Sequence, residues 1–207
     1  MIRNSKILFV LIAPLLMQCA ATYHPIDPPT VEYTVHDEND DVDFSYRYDV
    51  LTYRGNRKYP KREKRYGFNI VAAEITNKTP RTLNFVRDLE LYTQRGTVFA
   101  AENEYTAKII HQPVAIYLLY GLLYYTSFEC SGNDCHVTSF IPFGLGIAAG
   151  NMIVAGTANS KMKEEFNTYS PHSKNIGPNE TVHVILALRD MGFAPLKMRV
   201  REKPAGD

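Results

Sequence analysis

The stretch Val42-Asp43-Phe44-Ser45-Tyr46-Arg47-Tyr48-Asp49-Val50 alternates apolar and polar residues throughout. A strand turns successive side chains to opposite faces, so this period-2 pattern marks a half-buried strand with one wet face. The signature returns near the other end of the chain. Val182, Val184, Leu186 and Leu188 alternate with Thr181, His183, Ile185 and Ala187, and Leu196, Met198 and Val200 alternate with Lys197, Arg199 and Arg201. With Asp190-Met191-Gly192 as the turn, the last two runs read as a terminal hairpin. Val31, Tyr33 and Val35 give a shorter alternation. Residues 68–76 form a more uniformly apolar run ended by the turn cluster Asn77-Lys78-Thr79-Pro80, and residues 83–85, 89–92 and 97–100 read as short strands around Gln94-Arg95-Gly96. Several short strands at regular spacing predict a β-sandwich.

The pattern changes between these strand groups. Residues 104–168 read as a helical hairpin, with residues 114–128 almost wholly apolar and residues 140–158 apolar and rich in small side chains. The second helix becomes charged through Lys161, Lys163, Glu164 and Glu165 and stops before Pro171. In an α-helix Tyr117, Tyr120 and Tyr124 form one stripe. Leu118, Leu119, Leu122 and Leu123 cover its other faces. Gly144, Ala148, Asn151, Ala155 and Ala158 fall on one face of the second helix, with Gly146 and Gly150 in a small-xxx-small arrangement that favours close backbone approach. A helix apolar on all sides must be buried everywhere. Three readings follow: the hairpin packs on its own sandwich and meets another subunit or protein with its outer face, it inserts into a membrane, or it is core. The second helix is long enough to span a bilayer. The first reading makes Tyr117, Leu119, Tyr120, Leu123 and Tyr124 an interaction surface for a protein partner or a second copy of the chain.

The N-terminus says where this happens. Arg3 and Lys6 give a positive start, an apolar run follows, and Leu16-Met17-Gln18-Cys19 resembles the lipobox of bacterial lipoproteins, with Gln18 departing from the small residue usual before the cysteine. The resemblance implies that residues 1–18 are a signal peptide and that Cys19 is the acylated first residue of the mature chain. Ala20 and Ala21, where Asp would direct otherwise, imply the outer membrane. The competing reading is an ordinary signal peptide cleaved near Ala20-Ala21, with Cys19 discarded. Residues 19–30 contain Pro25, Pro28 and Pro29 and read as an extended, lipidated tether. The chain has 23 basic and 22 acidic residues; removing Arg3 and Lys6 leaves 21 against 22, so no field points to nucleic acid. Cys130 and Cys135 remain as an even pair in an oxidising compartment and read as a disulfide, with Gly132-Asn133 as the turn. Free thiols, or a metal site drawing on Asp134 and His136, are the alternatives.

Two runs, Val71-Ala72-Ala73-Glu74-Ile75-Thr76-Asn77-Lys78-Thr79 and Ile176-Gly177-Pro178-Asn179-Glu180-Thr181, are similar to immunoglobulin-like accessory lipoproteins of unknown function. The resemblance implies the sandwich and adds no activity. The expected fold is therefore α+β: an immunoglobulin-like antiparallel β-sandwich over 31–103 and 170–203, interrupted by an apolar helical hairpin over 104–168.

Little in the chain suggests chemistry. Asp37, Asn39 and Asp41 have the alternate spacing of a calcium loop, but Val42 and Tyr48 stand where the EF-hand pattern needs Gly and Glu, and a solvated acidic loop is the simpler reading. Arg54, Arg57, Lys58, Lys61, Arg62, Lys64 and Arg65 surround a single acid, Glu63, with Tyr53, Tyr59 and Tyr66 interleaved. This run reads as a solvated loop partly paired with the acidic loop, or as a contact for an anionic membrane or glycan. The histidines are scattered, and no hydrolase, phosphate-binding or dinucleotide motif occurs. No catalytic or metal-ligating residue and no cofactor is assigned. The expectation is a membrane-anchored envelope lipoprotein acting as a non-enzymatic binding or assembly module, with a surface glycan-binding protein or enzyme as the alternative. An apolar patch on the inserted segment favours the first. A buried His or carboxylate in a concave pocket favours the second.

Overall fold

The computed structural model describes residues 19–131, 134–189 and 192–201. The expected signal peptide and the Gly132-Asn133 turn lie outside the described residues, as do Asp190 and Met191. The protein is α+β with antiparallel sheets and divides into two compact units. Among the described residues the large unit comprises 23–111 and 159–201, and the small unit 19–22 and 112–158.

The large unit is built on two antiparallel sheets over one core. Strands β1 (Val35–Glu38), β2 (Val42–Arg47), β3 (Phe68–Asn77), β7 (Ala100–Ala101) and β11 (Thr181–Arg189) form the first, in the order β1-β2-β3-β11-β7. Strands β5 (Leu89–Thr93), β6 (Gly96–Val98) and β12 (Lys197–Val200) form the second, in the order β12-β5-β6, and β4 (Leu83–Asn84) pairs with β10 (Asn175–Ile176) beside them. Phe44, Tyr46, Val71, Ile75, Val184 and Leu186 of the first sheet bury against a core that includes Leu89, Leu91, Val98 and Met198 of the second. The alternation that marks β2 in the sequence is what supplies this face. β3 and β11 break the alternation because their other face is buried too: Ile70, Ala72, Ile185 and Ala187 are fully inaccessible. Short helices α1 (Val50–Tyr53), α2 (Tyr59–Arg65) and α4 (Asn103–Ile110) and the 3-10 turn Pro28–Thr30 pack against these two strands. A further single-turn helix, α3 (Phe85–Asp88), has Asn84 as its cap, the Asn84 side chain accepting the Arg87 N–H.

Four expectations are corrected. The first strand stops at Arg47, because Asp49 adopts a left-handed conformation (φ 55°) and Val50 begins α1. The runs 182–188 and 196–200 do not pair with each other. β11 already has β3 on one edge and β7 on the other, so β12 crosses to the second sheet and pairs with β5. Residues 19–30 carry no regular secondary structure before the 3-10 turn Pro28–Thr30, but they are no free tether. Tyr23, Ile26 and Val31 are buried, and Asn56 and Glu165 satisfy the backbone of residues 24–27: Asn56 exchanges hydrogen bonds with His24, and Glu165 accepts the N–H groups of Ile26 and Asp27. An extended segment with apolar side chains at that spacing has something to bury, and side-chain acceptors replace the water it would lose.

The fourth correction is the helical pair over 104–168. Only its second half is a long helix, α5 (Gly144–Thr168), which contributes 144–158 to the small unit and 159–168 to the large one. The first half is α4, a 3-10 segment (Val114–Leu122), and a β-hairpin made of β8 (Tyr125–Ser131) and β9 (Asp134–Ile141). Pro113 precedes the 3-10 segment and Pro142 follows β9, and Thr126, Phe128, Val137, Thr138 and Phe140 favour strand over helix. No helix among the described residues is long and apolar enough to cross a membrane, which removes the spanning role given to the second helix.

One buried amide joins the runs 71–79 and 176–181. Asn77, fully inaccessible at the end of β3, donates through Nδ2 to the carbonyls of Arg81, Ile176 and Gly177 at 2.7, 2.9 and 3.0 Å. Its Oδ1 accepts from the N–H and hydroxyl of Thr79, and its own N–H and carbonyl bond Glu180 and Asn179. Removing that side chain takes a partner from the buried Ile176 carbonyl and from the buried Thr79 N–H, and a buried group left bare costs about 1–3 kcal/mol. Asn77→Ala is therefore expected to cost the fold at least about 2 kcal/mol, read as a lower urea midpoint, whereas an alanine at the neighbouring exposed Lys78 costs far less.

Candidate functional site

The small unit organises around a three-residue period. In a 3-10 helix residues i and i+3 eclipse, so Val114, Tyr117, Tyr120 and Leu123 share one side of the segment. Tyr117 and Tyr120 are buried with their rings stacked at 6.2 Å, and Val114 and Leu123 pack half-buried beside them. They meet α5 through Ala148 and Ala155, both buried, with Ile147 and Met152 alongside. The face Gly144, Ala148, Asn151, Ala155, Ala158 is thus the contact face of α5, as its small residues suggest. Gly144 is the closest point. Its N–H donates to the Leu123 carbonyl at 2.9 Å, and a Cβ there would lie 2.0 Å from the Tyr120 carbonyl oxygen. Gly150, by contrast, faces open space, so the expected Gly146/Gly150 contact does not form.

The chain enters this unit clamped. The Ala20 N–H donates to Asn151 Oδ1 at 2.6 Å, while Gln112, fully buried, accepts the Ala21 N–H and donates to the Ala21 carbonyl. Cys19 precedes this clamp as an exposed free thiol. Cys130 and Cys135 form a disulfide across β8 and β9. Closing so short a loop restricts the unfolded chain by about 2 kcal/mol.

What the unit does not bury is its main feature. Leu119 is 64% exposed, Leu122 73%, Phe128 64% and Ile153 68%, and Ile116, Leu118, Tyr124, Tyr125, Val137, Phe140, Ile141 and Leu145 are exposed with them. The small unit thus exposes a dozen large apolar side chains. Of the five residues expected there, Leu119 and Tyr124 lie on the surface and Leu123 is half-buried; Tyr117 and Tyr120 are core and are withdrawn from it. The helical stripe failed because the segment repeats every three residues, not every 3.6. The hairpin residues Phe128, Val137 and Phe140 were missed outright. Their signal was present, as strand-forming side chains on either side of Gly132-Asn133.

A second feature lies in the large unit. Glu63, the single acid of the basic run, points inward from α2, one turn after the buried Tyr59. It is 6% exposed, and its Oε1 accepts the Ile70 N–H at 2.5 Å. Burial pushes its carboxyl up to about 8; the Ile70 N–H pulls the other way and the Asp49 charge adds to the rise. It lines a hollow of about 670 Å³ with Asp49, Thr52, Lys61, Asn69 and the exposed Phe193. The surrounding cations are not paired with the acidic loop. Arg54 donates to the Ile26 and Asp27 carbonyls and Arg62 to those of Ile109 and Ile110, leaving Arg57, Lys61, Lys64 and Arg65 exposed. The acidic loop is held by its own Asn39, by β12 and by Lys78 instead. Asn39 Oδ1 accepts the N–H groups of Asp41 and Val42, Asp37 accepts the Met198 N–H, and Lys78 bridges Glu38 and Asp43. Among the described residues no group of three or more His, Cys, Asp or Glu is placed to hold a metal ion. In comparisons with known proteins, no family model, curated protein or solved structure matches the chain.

Two outcomes test this geometry. Gly144→Ala forces the 3-10 segment off α5 and is expected to cost about 1–3 kcal/mol, whereas Gly150→Ala gains up to about 1 kcal/mol of helix propensity; paired thermal melts separate them. For Glu63, the folded carboxyl binds its proton more tightly than the unfolded one, whose ordinary value is 4.5. Stability is therefore greatest below about pH 4.5 with respect to this group and falls as pH rises to about 8. Glu63→Gln keeps an acceptor for Ile70 and removes the titration, so urea midpoints of the variant should not show the decline that the wild type shows across that window.

Proposed function

We propose that the protein is a lipid-anchored envelope lipoprotein of the outer membrane, non-enzymatic, whose small unit is a binding or assembly surface. The observation that carries this reading is the contrast between the units. The large unit closes a core over both faces of β3 and β11, while the small unit leaves Leu119, Leu122, Phe128, Phe140 and Ile153 bare. A protein does not expose that much apolar surface unless something covers it. The acyl group on Cys19 gives the location, and the lipobox-like Leu16-Met17-Gln18-Cys19 supports it. The large unit is immunoglobulin-like in this reading: two antiparallel sheets share a core, and the chain crosses from one to the other between β11 and β12.

A second reading, a surface glycan-binding protein or enzyme, draws on the hollow at Glu63. A buried carboxyl near an exposed aromatic ring suits a sugar hydroxyl and ring face. The hollow also holds a second carboxylate, Asp49, but the assembly reading explains more of the surface.

The anchor is tested in the native cell envelope. Cys19→Ser should abolish incorporation of a palmitate label and move the protein from the membrane to the soluble fraction after a high-salt wash. A wild-type chain that takes no label overturns the anchored reading.

A further inference from the structure

The β8–β9 hairpin is amphipathic in a way its register makes explicit. Thr126 faces Phe140, Phe128 faces Val137, and Cys130 is bonded to Cys135, which puts these six on one face. Tyr124 continues that face, its ring 5.3 Å from Phe140. The other face carries Ser127 opposite Ser139 and Glu129 opposite His136, with Asp134 beside Ser131; only Tyr125 and Ile141, at the base, are apolar there. A shift in register between Ser127 and Phe128 leaves Thr138 unpaired, and its hydroxyl bonds Ser127 Oγ at 2.9 Å. No residue of either strand is buried. Among the described residues no further strand pairs with either outer edge. A two-stranded hairpin with nothing on either face is marginal in water.

We propose that the apolar face of this hairpin rests on a lipid bilayer, lying in the interface plane beside the acyl chains of Cys19. The inference rests on the anchored reading above and names what covers the hairpin's part of the exposed surface. The clamp on Ala20 and Ala21 is the first argument. An acylated Cys19 has no slack spacer; the next residue is already fixed to Asn151 of the small unit, so a bilayer holding the lipid holds this unit at its surface. The second argument is the depth. In hydrocarbon the unpaired N–H and C=O groups of both strand edges would have no partners, and strands of 7 and 8 residues fall short of the roughly 9–11 needed to cross. The hairpin therefore lies flat, with its edges among hydrated headgroups and Phe128, Val137 and Phe140 directed at the acyl boundary. Glu129, His136 and Asp134, on the opposite face, remain in water. Tyr124, apolar in body and polar at its tip, suits that boundary. A second copy pairing edge to edge would satisfy the backbone but leave the apolar face bare, which is why lipid is the better occupant.

The chain contains no tryptophan, so one introduced residue reports alone. The experiment uses the mature chain from residue 19 carrying Cys19→Ser, which separates the hairpin from the anchor and from the apolar signal segment, and vesicles of phosphatidylethanolamine and phosphatidylglycerol. Phe128→Trp and Phe140→Trp should shift to the blue on adding vesicles. Lipids brominated near the headgroup end of the acyl chain should quench both to a similar degree. Ser127→Trp and Ser139→Trp should do neither. Phe128→Ser and Phe140→Ser, at exposed positions, should leave the circular dichroism unchanged and each weaken vesicle partitioning roughly tenfold. Emission indifferent to vesicles overturns the proposal. So does a blue shift that follows protein concentration without lipid, which assigns the face to a second copy, and so does deep quenching at Phe128→Trp with shallow quenching at Phe140→Trp, which stands the hairpin upright. A wild-type chain without acyl label whose tryptophan variants still respond to vesicles would remove the anchor and leave the hairpin contact standing.

Discussion

The ladder between β3 and β11 is the constraint on which the large unit depends. It runs from Thr181 opposite Thr76 to Arg189 opposite Phe68 without a break, and both strands are buried on both faces. Every other part of this unit is placed by it. β2 and β7 take the two outer edges, the second sheet covers one face through Leu91 and Met198, and α1, α2, α4 and the turn at Pro28–Thr30 cover the other. Because the outer edges are already taken, the chain leaving β11 has to change sheets. Polar groups along the ladder are handled locally: by Asn77 at one end, and near the middle by Asn103, whose Nδ2 donates to the carbonyls of Ile185 and Phe166. Each amide takes up backbone carbonyls that burial would otherwise leave bare, although Asn103 Oδ1 is itself buried without a hydrogen-bond partner.

The small unit obeys a different constraint. It has about fifty described residues and few side chains that reach the interior, too few for a core that closes over itself. Its order comes from close approach instead. Small residues on α5 let the 3-10 backbone come within hydrogen-bonding distance at Gly144, Tyr117 and Tyr120 fill the seam, and a disulfide holds the hairpin. That arrangement stabilises the unit while turning its leucines and phenylalanines outward. The exposed surface is thus a direct result of how the unit is held together.

The sequence made the strands and the α5 contact face legible because their periods, 2 and 3.6, are the ones hydrophobic patterns encode directly. Phe44 and Tyr46, or Ala148 and Ala155, could be assigned to an interior from spacing alone. The 3-10 segment was not legible: residues 114–123 are apolar at nearly every position, so no period stands out, and the choice between three and 3.6 residues per turn rests on Pro113 and on what Gly144 permits. The β8–β9 hairpin was hidden beside it, since Tyr125 follows directly on that apolar run and only Thr126 and Ser127 separate it from Phe128. Glu63 was hidden by its neighbours. A carboxylate amid seven cations looks solvated until α2 is seen to turn one side inward, and only Tyr59, one turn earlier, marks that side. The pairing of β12 was unreadable because strand partners depend on which edges are already occupied, which is a property of the whole sheet.

The segment after Cys19 connects these two kinds of order. Read as a sequence, its prolines suggest a spacer that keeps a folded domain clear of the membrane. In the structure residues 19–26 run without regular secondary structure and Pro28 and Pro29 open a 3-10 turn, while Tyr23, Ile26 and Val31 reach buried positions and Glu165 and Asn56 take up the intervening N–H groups. An extended segment without internal hydrogen bonds is stable in a fold only when others supply its partners, and here two side chains and the clamp at Gln112 do so. The consequence is mechanical. A flexible linker would let an acyl anchor and an apolar surface find separate partners. A docked one makes the position of residue 19 a property of the small unit, so whatever holds the one must accommodate the exposed face of the other.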